Sequence, residues 1–207
     1  RRSHEWLVAE LARERPDDAV LSEEARAGER SDAARLRSRR VWIIDPLDWT
    51  REFGEGRSDW AVHVALVEDG VPTAGAVALP GLDQVLDTGS PPEVPPAPER
   101  LRVVVSRSRP PAEAMRIAHA LDAELVEMGS AGAKAMAILR GEADVYAHSG
   151  GQFEWDSAAP VAVASAAGLH CSRLDGAPLV YNRVDPYLPD LLVCRPELAA
   201  KVIAASA

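Results

Sequence analysis

The sequence predicts an α/β or α+β protein with layered sheets. Apolar runs of strand length and segments of helical periodicity follow one another along the 207 residues. Residues 41–44 form a short apolar run, mostly β-branched or aromatic, which is typical of a buried strand. Hydrophobic residues make up 47% of the chain, so one sizeable core is expected.

The N-terminal part predicts a helix and then a polar stretch. Trp6, Leu7 and Leu11 recur at helical spacing and predict an amphipathic helix over residues 5–13. Residues 25–40 are rich in Glu, Arg, Ser and Asp, which is typical of a mobile surface loop with a little helix.

Residues 41–87 predict an antiparallel meander. We expect the first strand to stop at Asp45, where Pro46 follows. Turn residues separate the apolar runs that we predict to be its partners, at residues 60–67, 74–79 and 85–87.

Five prolines fall within residues 90–98 and predict an extended, exposed connection. It divides an N-terminal metal-binding α+β subdomain, 1–98, from a C-terminal α/β subdomain, 99–207, within one structural unit. In the second part, strands are predicted at 101–105, 125–128, 144–148 and 191–194. Helices are predicted at 111–121, 130–139, 156–167 and 196–205.

The balance of acidic and basic residues indicates which classes of partner are disfavoured. Asp and Glu outnumber Lys and Arg by 32 to 23, which argues against nucleic acid and acidic membranes as partners. No apolar run reaches the length of a membrane helix, and no signal peptide is visible, so we expect a cytoplasmic protein. Cys171 and Cys194 are predicted to be reduced, buried thiols.

Acidic residues stand at the edges of strongly apolar segments. Asp45 ends the buried strand, and Asp48 follows across a proline turn, so both carboxylates can point to one place. Such a pair repels itself unless it is protonated or neutralised by a cation, and Mg²⁺ prefers hard oxygen ligands. Taken singly, each acid has an ordinary alternative: Asp45 and Asp48 as turn or cap residues, Glu23 as a surface acid and Asp156 as a helix cap.

Taken together and in order, segments 23–24, 42–53 and 155–159 resemble the inositol monophosphatase superfamily of Mg²⁺-dependent, lithium-sensitive phosphatases. Within it, the sequence is most similar to the CysQ-type 3′(2′),5′-bisphosphate nucleotidases. Segments 129–134, 150–156 and 174–182 support this resemblance. It implies the sugar-phosphatase fold, in which helix and sheet layers alternate.

The resemblance also implies roles for individual residues. Two or three Mg²⁺ ions would be held by Glu23, Asp45, the Leu47 carbonyl, Asp48 and Asp156. Thr50 would orient the attacking water, and Asp45 and Glu23 would act with it in catalysis. The substrate would be bound by Asp48, Trp49, Thr50, Ser130, Lys134 and Asp156. Segment 106–109 is either an anion-contacting loop or a solvated basic turn.

Two departures from the family pattern are visible. Trp49 stands where the family has glycine, which permits close approach of backbone to phosphate. We therefore expect Trp49 to weaken activity. The family also has a water-activating acidic residue that would fall at or before position 1, so that group is expected upstream of this sequence.

The resemblance implies hydrolysis of the 3′-phosphate of 3′-phosphoadenosine 5′-phosphate to give AMP, a role in sulfate assimilation, and a homodimer as a candidate assembly. The same metal site would serve a phosphatase acting on inositol monophosphate or fructose 1,6-bisphosphate. Trp49 also leaves open a catalytically silent protein that binds metal or nucleotide. A purely structural domain would leave Asp45, Asp48 and Asp156 without a shared purpose.

Overall fold

Two five-stranded sheets organise the chain in the computed structural model, which describes residues 2–26, 33–48 and 58–207. The first sheet has the order β1-β2-β3-β4-β5, with β1 (Ala19–Ser22), β2 (Arg40–Asp48), β3 (Ala61–Glu68), β4 (Val71–Leu79) and β5 (Gln84–Asp87). The second has the order β7-β6-β8-β10-β9, with β6 (Arg102–Ser106), β7 (Glu124–Met128), β8 (Val145–Phe153), β9 (His170–Ser172) and β10 (Tyr187–Cys194).

Helices cover both sheets and fill the space between them. The α-helices of the described residues are α1 (Arg2–Glu14), α2 (Ala33–Arg37), α3 (Ala112–Leu121), α4 (Ala131–Leu139), α5 (Glu154–Ala166) and α6 (Ala199–Ser206). Short 3₁₀ turns span Pro80–Leu82 and Pro196–Leu198. Helix α1 contacts β2 and α2 contacts β1 of the first sheet, whereas α3 packs on β6 and β8 of the second sheet and α6 packs on α3. This arrangement confirms the predicted alternation of helix and sheet layers.

Helices α4 and α5 form the central layer. Helix α5 packs on β2, β3 and β4 of the first sheet and also on strands of the second. Every residue of α4 is buried, because this helix has protein on all sides. Small side chains allow the close packing: a Cβ added at Gly75 of β4 would lie 3.0 Å from the Cβ of Ala162 in α5.

The first sheet brings two acidic segments together at one edge. Strand β1 pairs in parallel with β2, placing Ser22 beside Ile44. The next residue, Glu23, donates its backbone N–H to the Ile44 carbonyl at 3.2 Å, so Glu23 is held close to Asp45 of β2. Strands β2 to β5 pair antiparallel in chain order, which confirms the predicted meander.

The predicted end of the first meander strand is wrong. Strand β2 does not stop at Asp45 but continues to Asp48. Its register changes there, because Asp45 pairs with His63 and Asp48 pairs with Ala61, which leaves one extra residue on β2. A β-bulge accommodates Pro46, whose missing N–H would otherwise interrupt the ladder.

Other boundaries differ in the second half. The helix expected from residue 156 begins two residues earlier, at Glu154. The strand expected over 144–148 continues to Phe153, and β9 had no counterpart in the sequence prediction. The longer β8 and the additional strand β9 both depend on pairing with β10, which is a contact between segments that are distant in the chain.

Residues 90–98 join the two sheets without helix or strand, as expected. The division into two subdomains stays a prediction, since α5 of the second half packs on the sheet of the first. Among the described residues, no helix has both the length and the apolar character needed to cross a bilayer.

Candidate active site

Three aspartates converge at the meeting point of the first sheet and the central helices. Ligand oxygens of Asp45, Asp48 and Asp156 all lie within 4.8 Å of one another. The bulge in β2 supplies the first two. In a regular strand, residues three apart face opposite sides, and the extra residue brings these two side chains to one side. Asp156 comes from the first turn of α5.

Asp45 lies in the least favourable surroundings for a negative charge. It is only 1% exposed, and its Oδ1 accepts the Leu47 backbone N–H at 2.9 Å. Burial is the largest cause that raises its pKa, followed by repulsion from Asp48 and Glu23. A hydrogen bond between the Asp45 and Glu23 carboxyl groups adds to the effect. Glu23 thus lies beside the aspartate trio, as the sequence predicts.

Asp48 caps the N-terminus of α4. Its Oδ2 accepts hydrogen bonds from the Ser130 hydroxyl and from the Gly132 backbone N–H, the latter at 2.9 Å. The Ser130 oxygen in turn accepts the Ala133 N–H at 3.0 Å, as an N-cap does. These donors and the helix dipole stabilise the charge of Asp48 and fix the direction of its side chain.

Asp156 is stabilised from its own helix. Its Oδ2 accepts the Phe153 backbone N–H at 2.7 Å, which lowers its pKa. Burial and then repulsion from Asp48 outweigh this bond, so the net direction of the pKa is upward. The start of α5 is anchored by Glu154, whose carboxylate accepts the N–H groups of Asn182 and Arg183 at 2.7 and 2.8 Å. The anchor includes Asn182, the last residue of segment 174–182.

A cavity of about 360 Å³ opens beside the trio. Asp48 and Asp156 line one part of it, and two cationic side chains, Arg109 and Lys134, line it as well. Lys134 is 1% exposed, donates a hydrogen bond to the Gly129 carbonyl and lies 5.3 Å from the centroid of the Tyr146 ring. An anion in this cavity can meet both positive side chains.

Sequence reasoning missed several polar residues around the cavity. His148 and Gln152 line it; burial, then Lys134, lowers the pKa of His148 to about 4. His63 lies fully buried against Asp48, with its Nε2 3.3 Å from Asp48 Oδ2. A histidine at an inward position of an otherwise apolar strand was the available signal for His63.

The predicted site residues therefore fall into three groups. The structure brings Asp45, Asp48, Asp156 and Glu23 together and puts Lys134 in the adjoining cavity. It places Ser130 against Asp48, whereas contact of Ser130 with substrate stays a prediction. The Leu47 carbonyl as a ligand also stays a prediction, and Trp49 and Thr50 lie outside the described residues.

The donor set fits Mg²⁺. Mutually repelling carboxylates that are mostly buried and already share hydrogen-bond donors have oxygen atoms to offer a hard divalent cation. A cation there would offset the repulsion from Asp48 and Glu23, which together with burial raises the pKa of Asp45.

The fold and this group of residues have the features of a magnesium site next to a cavity for a phosphorylated ligand. The chain belongs to the Inositol monophosphatase family, which it matches over residues 1–207. The expected family and layered fold are thereby confirmed.

Two relatives show which members of this family the chain is similar to. The chain is 54% identical over 217 residues to the 3′-phosphoadenosine 5′-phosphate phosphatase of Mycobacterium bovis, covering 100% of this chain and 80% of that protein. It is 32% identical over 202 residues to the 3′(2′),5′-bisphosphate nucleotidase CysQ of Escherichia coli K12, covering 90% and 79%.

Solved structures agree with the fold. The structure of CysQ from Bacteroides thetaiotaomicron superposes with a TM-score of 0.80 at 29% identity, covering 93% of this chain and 81% of that one. The inositol monophosphatase of Thermotoga maritima gives a TM-score of 0.77 at 19% identity, covering 98% and 79%, and shows the fold alone.

Proposed function

We propose that the protein is a Mg²⁺-dependent phosphoric monoester hydrolase that removes the 3′-phosphate of 3′-phosphoadenosine 5′-phosphate, giving AMP and phosphate. The observation that carries the proposal is the cavity in which the aspartate trio adjoins Arg109 and Lys134. The relative from Mycobacterium bovis, named for this activity, supports it across the whole chain.

A substrate with two phosphates suits the charge pattern of this cavity. The reacting phosphate belongs at the aspartates, where a cation must offset the like charges. The second phosphate of the nucleotide then has Lys134 and Arg109 as partners. A substrate with one phosphate would bring no second anion to this part of the cavity, so inositol monophosphate matches the charge pattern less well.

Glu23, Asp45, Asp48, Asp156 and the Leu47 carbonyl would hold two or three Mg²⁺ ions. The metal, when bound, supplies charge neutralisation at the phosphate and activation of a water molecule. Thr50 would orient that water with Asp45 and Glu23, and the backbone amides of Trp49 and Thr50 would donate to the phosphoryl oxygens. Asp48 and Asp156 are pre-oriented by the α4 and α5 N-terminal hydrogen bonds, so little reorganisation is needed.

Two wider assignments rest on the resemblance, a role in sulfate assimilation and a homodimer. A cytoplasmic location is proposed from the sequence analysis.

The test is phosphate release from 3′-phosphoadenosine 5′-phosphate with Mg²⁺ and with EDTA. We expect Mg²⁺-dependent release of one phosphate and formation of AMP, with lower kcat/KM for inositol 1-phosphate and fructose 1,6-bisphosphate. Asp45→Asn serves as the inactive control. A preference for either sugar phosphate would overturn the substrate assignment, and calorimetric binding of the nucleotide without release would indicate a silent binding protein.

A further inference from the structure

His63 of β3 lies directly under the aspartate trio, and no step of the proposed reaction uses it. The residue is 0% exposed. Its Cα pairs with that of Asp45 across β2 and β3, and residues opposite each other in an antiparallel pair share one face of the sheet. The ring therefore lies on the face that carries the cluster.

The two ring nitrogens of His63 reach two different parts of the site. Nδ1 lies 3.0 Å from the backbone oxygen of Trp155, and because a carbonyl only accepts, Nδ1 donates. Nε2 lies 3.3 Å from Asp48 Oδ2 and makes no hydrogen bond with any of the described residues. The imidazole thus spans the gap between the Asp48 carboxylate and the residue that precedes Asp156.

Gly132 completes the arrangement from the side of α4. A Cβ added at Gly132 would lie 2.0 Å from His63 Nε2, a distance that real Cβ atoms do not show. The Gly132 backbone N–H donates to the same Asp48 oxygen that faces the ring. Only glycine lets α4 approach closely enough for this bond while His63 fills the space behind it.

We propose that His63 is a positioning residue that fixes Asp48 relative to Asp156 for Mg²⁺ binding. The role follows from the place of the ring, which contacts the carboxylate supplied by β2 and the backbone at the start of α5. Partners behind metal ligands hold the ligands in place, and removing one costs about 10- to 100-fold in metal affinity or activity. The inference rests on the metal site of the proposed function.

The test is calorimetric titration of the substrate-free protein with MgCl₂, repeated with MnCl₂. His63→Asn keeps an amide near the position of Nδ1 and removes the Nε2 side of the ring. We expect its affinity for both cations to fall about 10-fold or more, with a higher Mg²⁺ requirement for activity. Val67→Ala is the matched control, a buried residue of the same strand paired with Val41 rather than with the cluster. It should lower the melting temperature and leave the metal affinity unchanged.

A second pair of variants does not depend on His63→Asn folding well. Gly132→Ala should weaken metal binding, because its methyl group meets the ring. In the double variant with His63→Ala, Gly132→Ala should add no further loss of Mg²⁺ affinity to that of His63→Ala alone, because the ring that the methyl group would displace is already gone.

Wild-type affinity in His63→Asn, or losses from Gly132→Ala and His63→Ala that simply add in the double variant, would overturn the inference and leave the proposed function standing. Absence of Mg²⁺ and Mn²⁺ binding by the wild-type protein would overturn the metal site itself, and the inference with it.

Discussion

Strand β2 and helix α5 both supply aspartates to one site, yet they hold them differently. Asp45 of strand β2 is almost completely buried, which raises its pKa. Each neighbouring acid that interacts with Asp45 raises this pKa further. Helix α5 holds Asp156 with the Phe153 N–H, and Lys134 also lowers its pKa. The helix start thus compensates part of its own charge, whereas Asp45 on the strand needs a bound cation or a proton.

This difference shows which carboxylate of the folded protein keeps unbalanced electrostatic repulsion. At the helix, local backbone donors offset the cost of a carboxylate. At the bulged strand, Asp45 accepts the Leu47 N–H, but burial and repulsion from neighbouring acids outweigh this bond, so charge neutralisation must come from outside the chain. Removing the charge of Asp45 in β2 should therefore lower the activity but stabilise the metal-free fold.

The largest expected effect comes from removing the charge of Asp45. Asp45→Asn should lower kcat/KM for 3′-phosphoadenosine 5′-phosphate by about 10³-fold or more, since a lost metal ligand removes several kcal/mol of transition-state stabilisation. Steady-state phosphate release measures it. A loss below about 10-fold would show that Asp45 is not a metal ligand.

The same substitution should stabilise the metal-free fold, by about 1 kcal/mol, because it relieves buried repulsion. Asp156→Asn should instead gain less or lose stability, because it weakens the bond to the Phe153 N–H. Urea unfolding in EDTA compares the two variants. Equal shifts of the same sign would remove the contrast between strand and helix.

The metal-free protein should lose stability as pH rises between about pH 7 and about pH 8. Asp45 and Asp156 have raised pKa values in the folded state, so the folded protein binds protons more tightly than the unfolded chain, and their contribution is lost as pH rises. Urea midpoints in EDTA measure this loss. Asp45→Asn should flatten the dependence, and saturating Mg²⁺ should reverse its sign, because cations bind the deprotonated acids.

At the cationic part of the cavity, the expected effect on catalysis is smaller. Arg109→Gln should raise KM for 3′-phosphoadenosine 5′-phosphate about 10-fold, since a charged hydrogen bond contributes about 1.5–3 kcal/mol. Its kcat should change little. Arg100→Gln is the control, because Arg100 pairs with Glu124 on the surface and does not line the cavity. An unchanged KM would remove Arg109 from the substrate site.

The smallest effect concerns the residue after Asp48. Trp49→Gly should raise kcat by about 2- to 5-fold, because glycine lets the backbone approach phosphate without a side chain. Asp48→Asn in the same background should stay inactive. A rate that is unchanged or lower would show that the indole is accommodated.

Much of the site was predictable because its acids lie at the ends of strongly patterned segments. The apolar runs predicted layered sheets and a pairing of Asp45 with Asp48, and the family resemblance added Glu23 and Asp156 to the cluster. The meander was predictable for the same reason: its strands are consecutive, and local turns set their pairing.

The bulge and His63 were not predictable in this way. Pro46 indicated a strand end, and only pairing with β3 shows that the strand continues past it. His63 was one polar residue in an apolar strand, and its meaning depends on Asp48, Gly132 and Trp155, which come from other elements.

Which side chains carry charge, and roughly where the strands and helices lie, could be predicted from the sequence alone. Both depend on residue type and local periodicity. Only the tertiary structure decided that Asp45 and Asp48 face one side, that α4 and α5 fill the space between the sheets, and that a histidine lies behind the cluster. These features depend on contacts between residues far apart in the chain, and they form only when the layers pack and bury the charges together.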